Sequence, residues 1–223
     1  TSEVEQVDLV TRLIKDKRVN DQYSEEREFI ELGARILRFE FGPQKYLRKE
    51  LLWPFLEELI NKLTKFYEKP ENKPDWIHAH YADAGYVGVH LSKNLKVPLV
   101  FTAHSLGREK KRRLLDAGLT QSQIEKSYFI SKRISAEEEA LKEAAMIVTS
   151  TKQESVYQYS TYKSFESQKA RVISPGVDYK KFHHIHSTTE TSDIDNMMNS
   201  FLTDSFKPPL LAISRAVRRK NVP

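Results

Sequence analysis

This chain predicts an α/β fold, a parallel sheet with helices on both faces, and three observations carry that expectation. Buried-strand patterns alternate with helical ones along nearly the whole sequence. The stretch Trp76 to Lys110, WIHAHYADAGYVGVHLSKNLKVPLVFTAHSLGREK, reads as strand, small-residue turn, helix, strand and polar turn, which is one βαβ crossover. Polar side chains cluster where both of its strands end: His80, Tyr81 and Asp83 after the first, His104, Ser105, Arg108 and Lys110 after the second. In open α/β sheets that rim is where ligands bind.

The elements follow in order. VDLVTRLI (residues 7 to 14) is apolar and rich in β-branched residues, so it is expected as a buried parallel strand. A charged segment separates it from ARILRFEF (residues 34 to 41), a second strand stopped by Gly42-Pro43. Leu52, Phe55, Leu56, Leu59, Ile60, Leu63 and Phe66 then recur at helical spacing, predicting an amphipathic helix that tolerates Pro54 only in its first turn. After the crossover, residues 111 to 144 read as mostly helical, with a break at Gly118 and an N-cap at Thr120. MIVTS (146 to 150) is the next strand, 151 to 159 a short helix, and RVIS (171 to 174) a last strand before Pro175-Gly176. Residues 183 to 209 are polar and Ser/Thr-rich, expected as a linker with a short helix around Met197. LLAIS, from Leu210, begins a second α/β unit, giving a division into 1–182, 183–209 and 210–223. Both ends read as cut from something longer.

Composition narrows the function classes. With 223 residues and 39% hydrophobic content there is enough chain for a complete core. The 36 Lys plus Arg against 31 Asp plus Glu give a net charge of +5, which favours anionic partners. Most charges alternate along helices, and only REKKRR (108 to 113) and RAVRRK (215 to 220) are locally basic, so no nucleic-acid face is expected. The absence of cysteine excludes disulfides, thiolate metal sites and thiol nucleophiles. No apolar run has the length of a membrane span and no signal peptide opens the chain, so a cytoplasmic place is expected.

The candidate chemistry lies at the strand ends. His78 and His80 share one face of a strand, but with no third ligand nearby no metal site is expected. His80 is expected to line a cleft beside Tyr81 and Asp83, and Asp83 reads equally well as a cap of the following helix. His104 and Ser105 are too close in sequence to act as a catalytic pair, while Gly107 permits close backbone approach. Lys110 and Arg108 should emerge at the cleft with the remainder of REKKRR on helix surface. Lys49 and Arg133 are placed to converge on the same anion. Arg215 and Lys220 admit three readings: a diphosphate clamp, an exposed basic turn or a nucleic-acid contact. No Walker motif, GxGxxG or EF-hand loop occurs.

WIHAHYADAGYVG, VPLVFTAHSLGREK, KYLRKELLWP, RISAEEEAL, IVTSTKQE, VISPGVD and ISRAVRRKN, in this chain's own spacing, together resemble the sucrose-phosphate synthases, retaining glycosyltransferases of the GT-B fold with two Rossmann-like domains. The resemblance covers nearly the whole chain. It implies the N-terminal, acceptor-binding Rossmann-like domain of such an enzyme, truncated at both ends and lacking the first strand with its Gly-rich loop. It implies glucose transfer from UDP-glucose to fructose 6-phosphate with retention, giving sucrose 6-phosphate and UDP, with no essential metal or cofactor. Lys49, Tyr81, Ser105, Lys110 and Arg133 match positions around fructose 6-phosphate. His104 matches the histidine at the transferred glucose, and Arg215 and Lys220 the pair at the donor diphosphate. The leaving phosphate would itself take the acceptor proton. Lys132 stands where arginine is common, Ala216-Val217 where Pro-Asp is usual, and Ser174 where proline is common. Two other readings are a sucrose synthase or related GT-B transferase with an unphosphorylated acceptor, and a non-catalytic sugar-phosphate-binding module.

Overall fold

The structure is a computed structural model that describes residues 4–31, 33–180 and 193–201. The chain divides into two units, residues 1–175 and 176–223. The second contributes one described element, α7 (Asp193–Phe201), at the place where a short helix around Met197 is expected. The sequence-based boundaries at 182 and 209 and the strand from Leu210 lie outside the described residues.

In the first unit the strands form two sheets, not one. β1 (Val7–Arg12), β2 (Arg27–Glu31) and β3 (Ala34–Phe39) make a three-stranded sheet in the order β1-β3-β2. β1 runs parallel to β3, but β2 is antiparallel to it, so strict alternation of strand and helix fails here. β2 lies inside the segment read only as charged, because its sequence REFIE carries charges at three of its five positions. β1 is also less buried than expected: Val7 and Leu9 are about half exposed. Among the described strands it pairs with β3 alone, and a strand at a sheet edge covers only part of its surface.

The second sheet is entirely parallel, in the order β4-β5-β6-β7, built from β4 (Ile77–His80), β5 (Leu99–Thr102), β6 (Met146–Thr149) and β7 (Ala170–Val172). Parallel neighbours require crossovers. α2 (Ala82–Leu95) connects β4 to β5, and α3 (Gly107–Asp116), α4 (Gln121–Tyr128) and α5 (Ile130–Glu143) connect β5 to β6. α6 (Lys152–Tyr157) lies between β6 and β7. β5 is buried at every residue and forms the centre of one core with Ala79, Val89, Ala140, Leu141 and Ile147. At Gly88 a Cβ would stand 2.9 Å from that of Ala79, so glycine sets how closely α2 lies on β4.

α1 (Leu56–Tyr67) carries the amphipathic pattern, burying Leu56, Leu59, Ile60, Leu63 and Tyr67 along one stripe. Each such aliphatic side chain contributes about 1.5–3 kcal/mol through burial. The stripe shares a core with Leu37 and Phe41 of the first sheet region and with Val87, Leu91 and Leu95 of α2. The helix begins later than the pattern suggests. Lys49–Leu51 and Trp53–Phe55 form two 3-10 turns ahead of it, and Pro54 is accommodated in the second. α4 opens on the expected cap: Thr120 accepts from Gln123 N while the Gln123 side chain accepts from Thr120 N.

Candidate functional site

The carboxyl ends of β4 and β5 form the rim of the second sheet, and two residues there have backbone conformations that side chains rarely adopt. Tyr81, directly after β4, has φ 79° and ψ 167°, and His104, two residues after β5, has φ 55°. Such residues cost about 1–3 kcal/mol each and persist only where their surroundings hold them. Tyr81 N still donates to Thr102 O at 2.9 Å, as if β4 continued, and its carbonyl then accepts from Gly85 N to open α2. The change from strand to helix occurs in one residue. That residue's ring is thereby turned into a cleft.

Lys49, Glu50, Trp53, Tyr81, Asp83, Lys110, Tyr128 and Arg133 line this cleft. Lys49 Nζ donates to the Tyr81 hydroxyl at 2.5 Å and lies 3.9 Å from the ring centroid. The Arg133 guanidinium stands over the same ring at 4.4 Å, and Lys110 Nζ over Tyr128 at 3.8 Å. The elements that supply these cations are far apart in sequence: a 3-10 turn, the first turn of α3, and α5. Against them stand Glu50, 3.7 Å from Lys110, and Asp83, whose Oδ1 accepts from Ala84 N at the start of α2. Burial raises the Asp83 pKa, opposed by hydrogen bonds from its own helix start and by Lys49 and Arg133. Asp83 thus lines the cleft from the first turn of α2, whose N-cap position is Tyr81 and carries no side-chain cap hydrogen bond. Burial, reinforced by Arg133, lowers the Lys110 pKa to about 8, only partly countered by Glu50. A site that crowds cations in this way stabilises an incoming anion that relieves their repulsion.

The turn after β5 is fixed from behind. Ser105 N donates to Ala103 O at 2.6 Å across His104, closing a three-residue turn. The buried Tyr159 hydroxyl accepts from Ala103 N at 3.0 Å. Arg133 Nη2 donates to Ser105 O and reaches Ser105 Oγ at 3.4 Å, while its Nε donates to Glu137 at 2.9 Å. Glu137, fully buried, also accepts from Gly107 N at 2.8 and 3.1 Å and from the Tyr162 hydroxyl. A Cβ at Gly107 would lie 2.8 Å from Glu137 Oε2, which is why glycine occupies that position.

Of the predicted residues, Lys49, Tyr81, Lys110 and Arg133 meet in the cleft. Ser105 adjoins it through Arg133. His104 is exposed beside it and pairs with His80, whose Nδ1 lies 2.8 Å from His104 Nε2. His80 is thus grouped with His104 and His78 and does not line the cleft with Tyr81 and Asp83. Strand alternation sends neighbouring side chains to opposite faces, so the His80 ring leaves on the side away from Tyr81. Arg108 also departs from expectation: its Nη2 binds Glu138 at 2.7 Å and its guanidinium lies over Tyr162, away from the cleft. Arg112 and Arg113 pair with Glu109 on the helix surface, as expected of most of that run. Arg215 and Lys220 lie outside the described residues. Glu50, Trp53 and Tyr128 were not anticipated. Glu50 and Trp53 share the KELLWP segment with Lys49, whereas nothing in sequence spacing points to Tyr128.

Among the described residues no group of three His, Cys, Asp or Glu side chains is arranged to hold a metal ion. No helix among them is long and apolar enough to cross a membrane.

Residues 3–190 match the family described as the sucrose synthase first GT-B domain. Among curated relatives, sucrose-phosphate synthase 4 of Arabidopsis thaliana is 32% identical over all of this chain, which covers 27% of that protein. A probable sucrose-phosphate synthase of Thermosipho melanesiensis is 37% identical over 97% of the chain and 48% of its own length. The chain therefore spans between a quarter and a half of these relatives. A solved sucrose-phosphate synthase from Thermosynechococcus elongatus superposes with a TM-score of 0.65 at 21% identity, covering 87% of this chain and 42% of that one. A likeness at that identity establishes the fold.

Proposed function

From the chain's membership of the sucrose synthase first GT-B domain family, which the match over residues 3–190 establishes, we propose that it forms the acceptor side of a sucrose-phosphate synthase. In this reading glucose passes from UDP-glucose to fructose 6-phosphate with retention, giving sucrose 6-phosphate and UDP, without an essential metal or cofactor. The observation that carries the proposal is the convergence of Lys49, Lys110 and Arg133 on one cleft around Tyr81. A phosphate about 4 Å from one such cation gains roughly 4 kcal/mol at an effective dielectric near 20. An unphosphorylated sugar offers that cluster nothing to neutralise.

Each residue then has a task. Lys110 and Lys49 hold the acceptor phosphate, Arg133 orients it while tied to Glu137 and Ser105 O, and Ser105 Oγ meets a sugar hydroxyl. Tyr81 holds Lys49 and Arg133 against its ring. His104 contacts the glucose in transfer, and Arg215 and Lys220 grip the donor diphosphate. Fixed cations stabilise the departing UDP electrostatically, and the departing phosphate takes the acceptor proton. We place the enzyme in the cytoplasm with its phosphorylated substrates.

Calorimetric titration of the chain with fructose 6-phosphate and with fructose tests the reading. The phosphorylated sugar is expected to bind at least ten-fold more tightly, equivalent to about 1.4 kcal/mol, and Lys110→Ala is expected to abolish most of that difference. Equal affinity for the two sugars would favour a sucrose synthase with a free fructose acceptor.

A further inference from the structure

Trp76, His78, His80 and His104 form a file of rings along the sheet face opposite Ile77 and Ala79. Centroids are 6.1 Å apart between Trp76 and His78, 4.0 Å between His78 and His80, and 5.0 Å between His80 and His104. The file is anchored at its inner part, where His78 Nε2 lies 2.9 Å from the buried Thr102 hydroxyl. At its outer end His80 Nδ1 and His104 Nε2 are 2.8 Å apart, with ring planes only 21° from parallel. This hydrogen bond occupies one nitrogen of each imidazole. Neither His104 Nδ1 nor His80 Nε2 has a hydrogen-bond partner among the described residues.

His104 occupies a backbone conformation fixed by Ser105 N, Tyr159, Arg133 and Glu137, and among the described residues none of those groups is hydrogen-bonded to its ring. The backbone clamp sets where the side chain starts and leaves its χ angles open. The hydrogen-bond partner of the ring among the described residues is His80, on β4 beside His78.

We propose that His80 is a positioning residue. Through Nδ1 it holds the His104 imidazole by Nε2, so that Nδ1 of His104 is the one ring nitrogen offered to the hydroxyl of a hexose. Which ring donates sets the tautomer of both, because a neutral imidazole carries its proton on only one nitrogen. The pair thus fixes the direction of the group that meets the sugar and couples its hydrogen-bonding sense to the tautomer of His80. The inference rests on the assignment of His104 to the transferred glucose, yet the lock between the rings exists without any ligand.

Two measurements separate the lock from the assignment. Nitrogen-15 spectra of the histidine rings in this chain are expected to give His104 a single tautomer. In His80→Ala they should move to the averaged shifts of a free ring, and His80→Asn, whose amide reaches the Nδ1 position, should restore them. Unchanged His104 shifts in His80→Ala would overturn the proposal whatever the activity. In the whole enzyme, His80→Ala is expected to lower kcat about ten-fold or more, as loss of orientation does. KM for the phosphorylated acceptor should stay within two-fold, and His80→Asn should recover most of the rate. An unchanged kcat in His80→Ala, or an Asn variant as slow as Ala, would also overturn it. If the unaltered enzyme transfers no glucose while the ring shifts behave as stated, the assignment of function fails and the lock stands.

Discussion

At the scale of single residues, the cleft is governed by how three cations are kept close before any ligand arrives. Tyr81 does this by offering its hydroxyl to Lys49 and its ring to Lys49 and Arg133. Lys110 has less relief, and its burial beside Arg133 brings its pKa down to about 8. The folded pKa lies below the ordinary value of 10.5, so between about pH 8 and 10.5 the unfolded chain binds a proton that the folded chain has released. The contribution of this group to stability therefore rises with pH across that window. Anion binding runs the other way. A sugar phosphate is already dianionic above about pH 6, so the change near pH 8 belongs to the protein. Affinity for fructose 6-phosphate is expected to fall as pH rises through 8, read by titration at pH 7 and 9. Lys110→Arg should carry the affinity to higher pH, because a guanidinium stays charged. A flat profile in the unaltered chain would remove Lys110 from the phosphate site.

At the scale of elements, α5 is the part that organises the rim, since Arg133 and Glu137, one turn apart, tie the turn after β5 to the helix behind it. Glu137, without access to water, accepts from Arg133, from Gly107 N at both carboxylate oxygens and from the Tyr162 hydroxyl. Removing one member of such a buried pair costs about 3–5 kcal/mol. Glu137→Gln has the same shape but places an NH2 against donors, so a loss of about 3 kcal/mol in unfolding free energy is expected from urea denaturation. A shift below about 1 kcal/mol would mean the network adds little beyond a neutral hydrogen bond. This dependence on one carboxylate was hidden in the sequence, where AEEEALKEA reads as a solvated helix face. The βαβ crossover, the α1 stripe and the Thr120 cap were legible because each is a local pattern. β2 was not, since its charges masked the alternation, and Arg108 was misplaced because Glu138, thirty residues on, competes for it. The convergence of Lys49, Lys110 and Arg133 was visible as a set of bases and not as a distance. Nothing local brings Tyr128 to Lys110 or His80 to His104.

At the scale of the whole molecule, the proposed reading raises the question of what the acceptor side can do by itself. In that reading the described rim would serve the acceptor, with cations in a cleft, a polar turn and the paired His80 and His104 rings. Glycosyl transfer needs more, because the departing diphosphate must be stabilised by donors already fixed around it, in a site from which water has been excluded. In this chain the residues read as donor contacts are Arg215 and Lys220, and the chain spans only 27% and 48% of two relatives named for the complete activity. Binding and turnover are therefore expected to separate. The chain alone should bind fructose 6-phosphate, because Lys49, Lys110 and Arg133 all belong to its first unit, and should release no UDP from UDP-glucose when that acceptor is added. A coupled assay for UDP, run beside the acceptor titration on the same preparation, checks both. UDP release that depends on fructose 6-phosphate would mean that the residues from 210 onward suffice to hold the donor. Loss of acceptor binding as well would mean that the cleft around Tyr81 needs the remainder of the enzyme to take its working form.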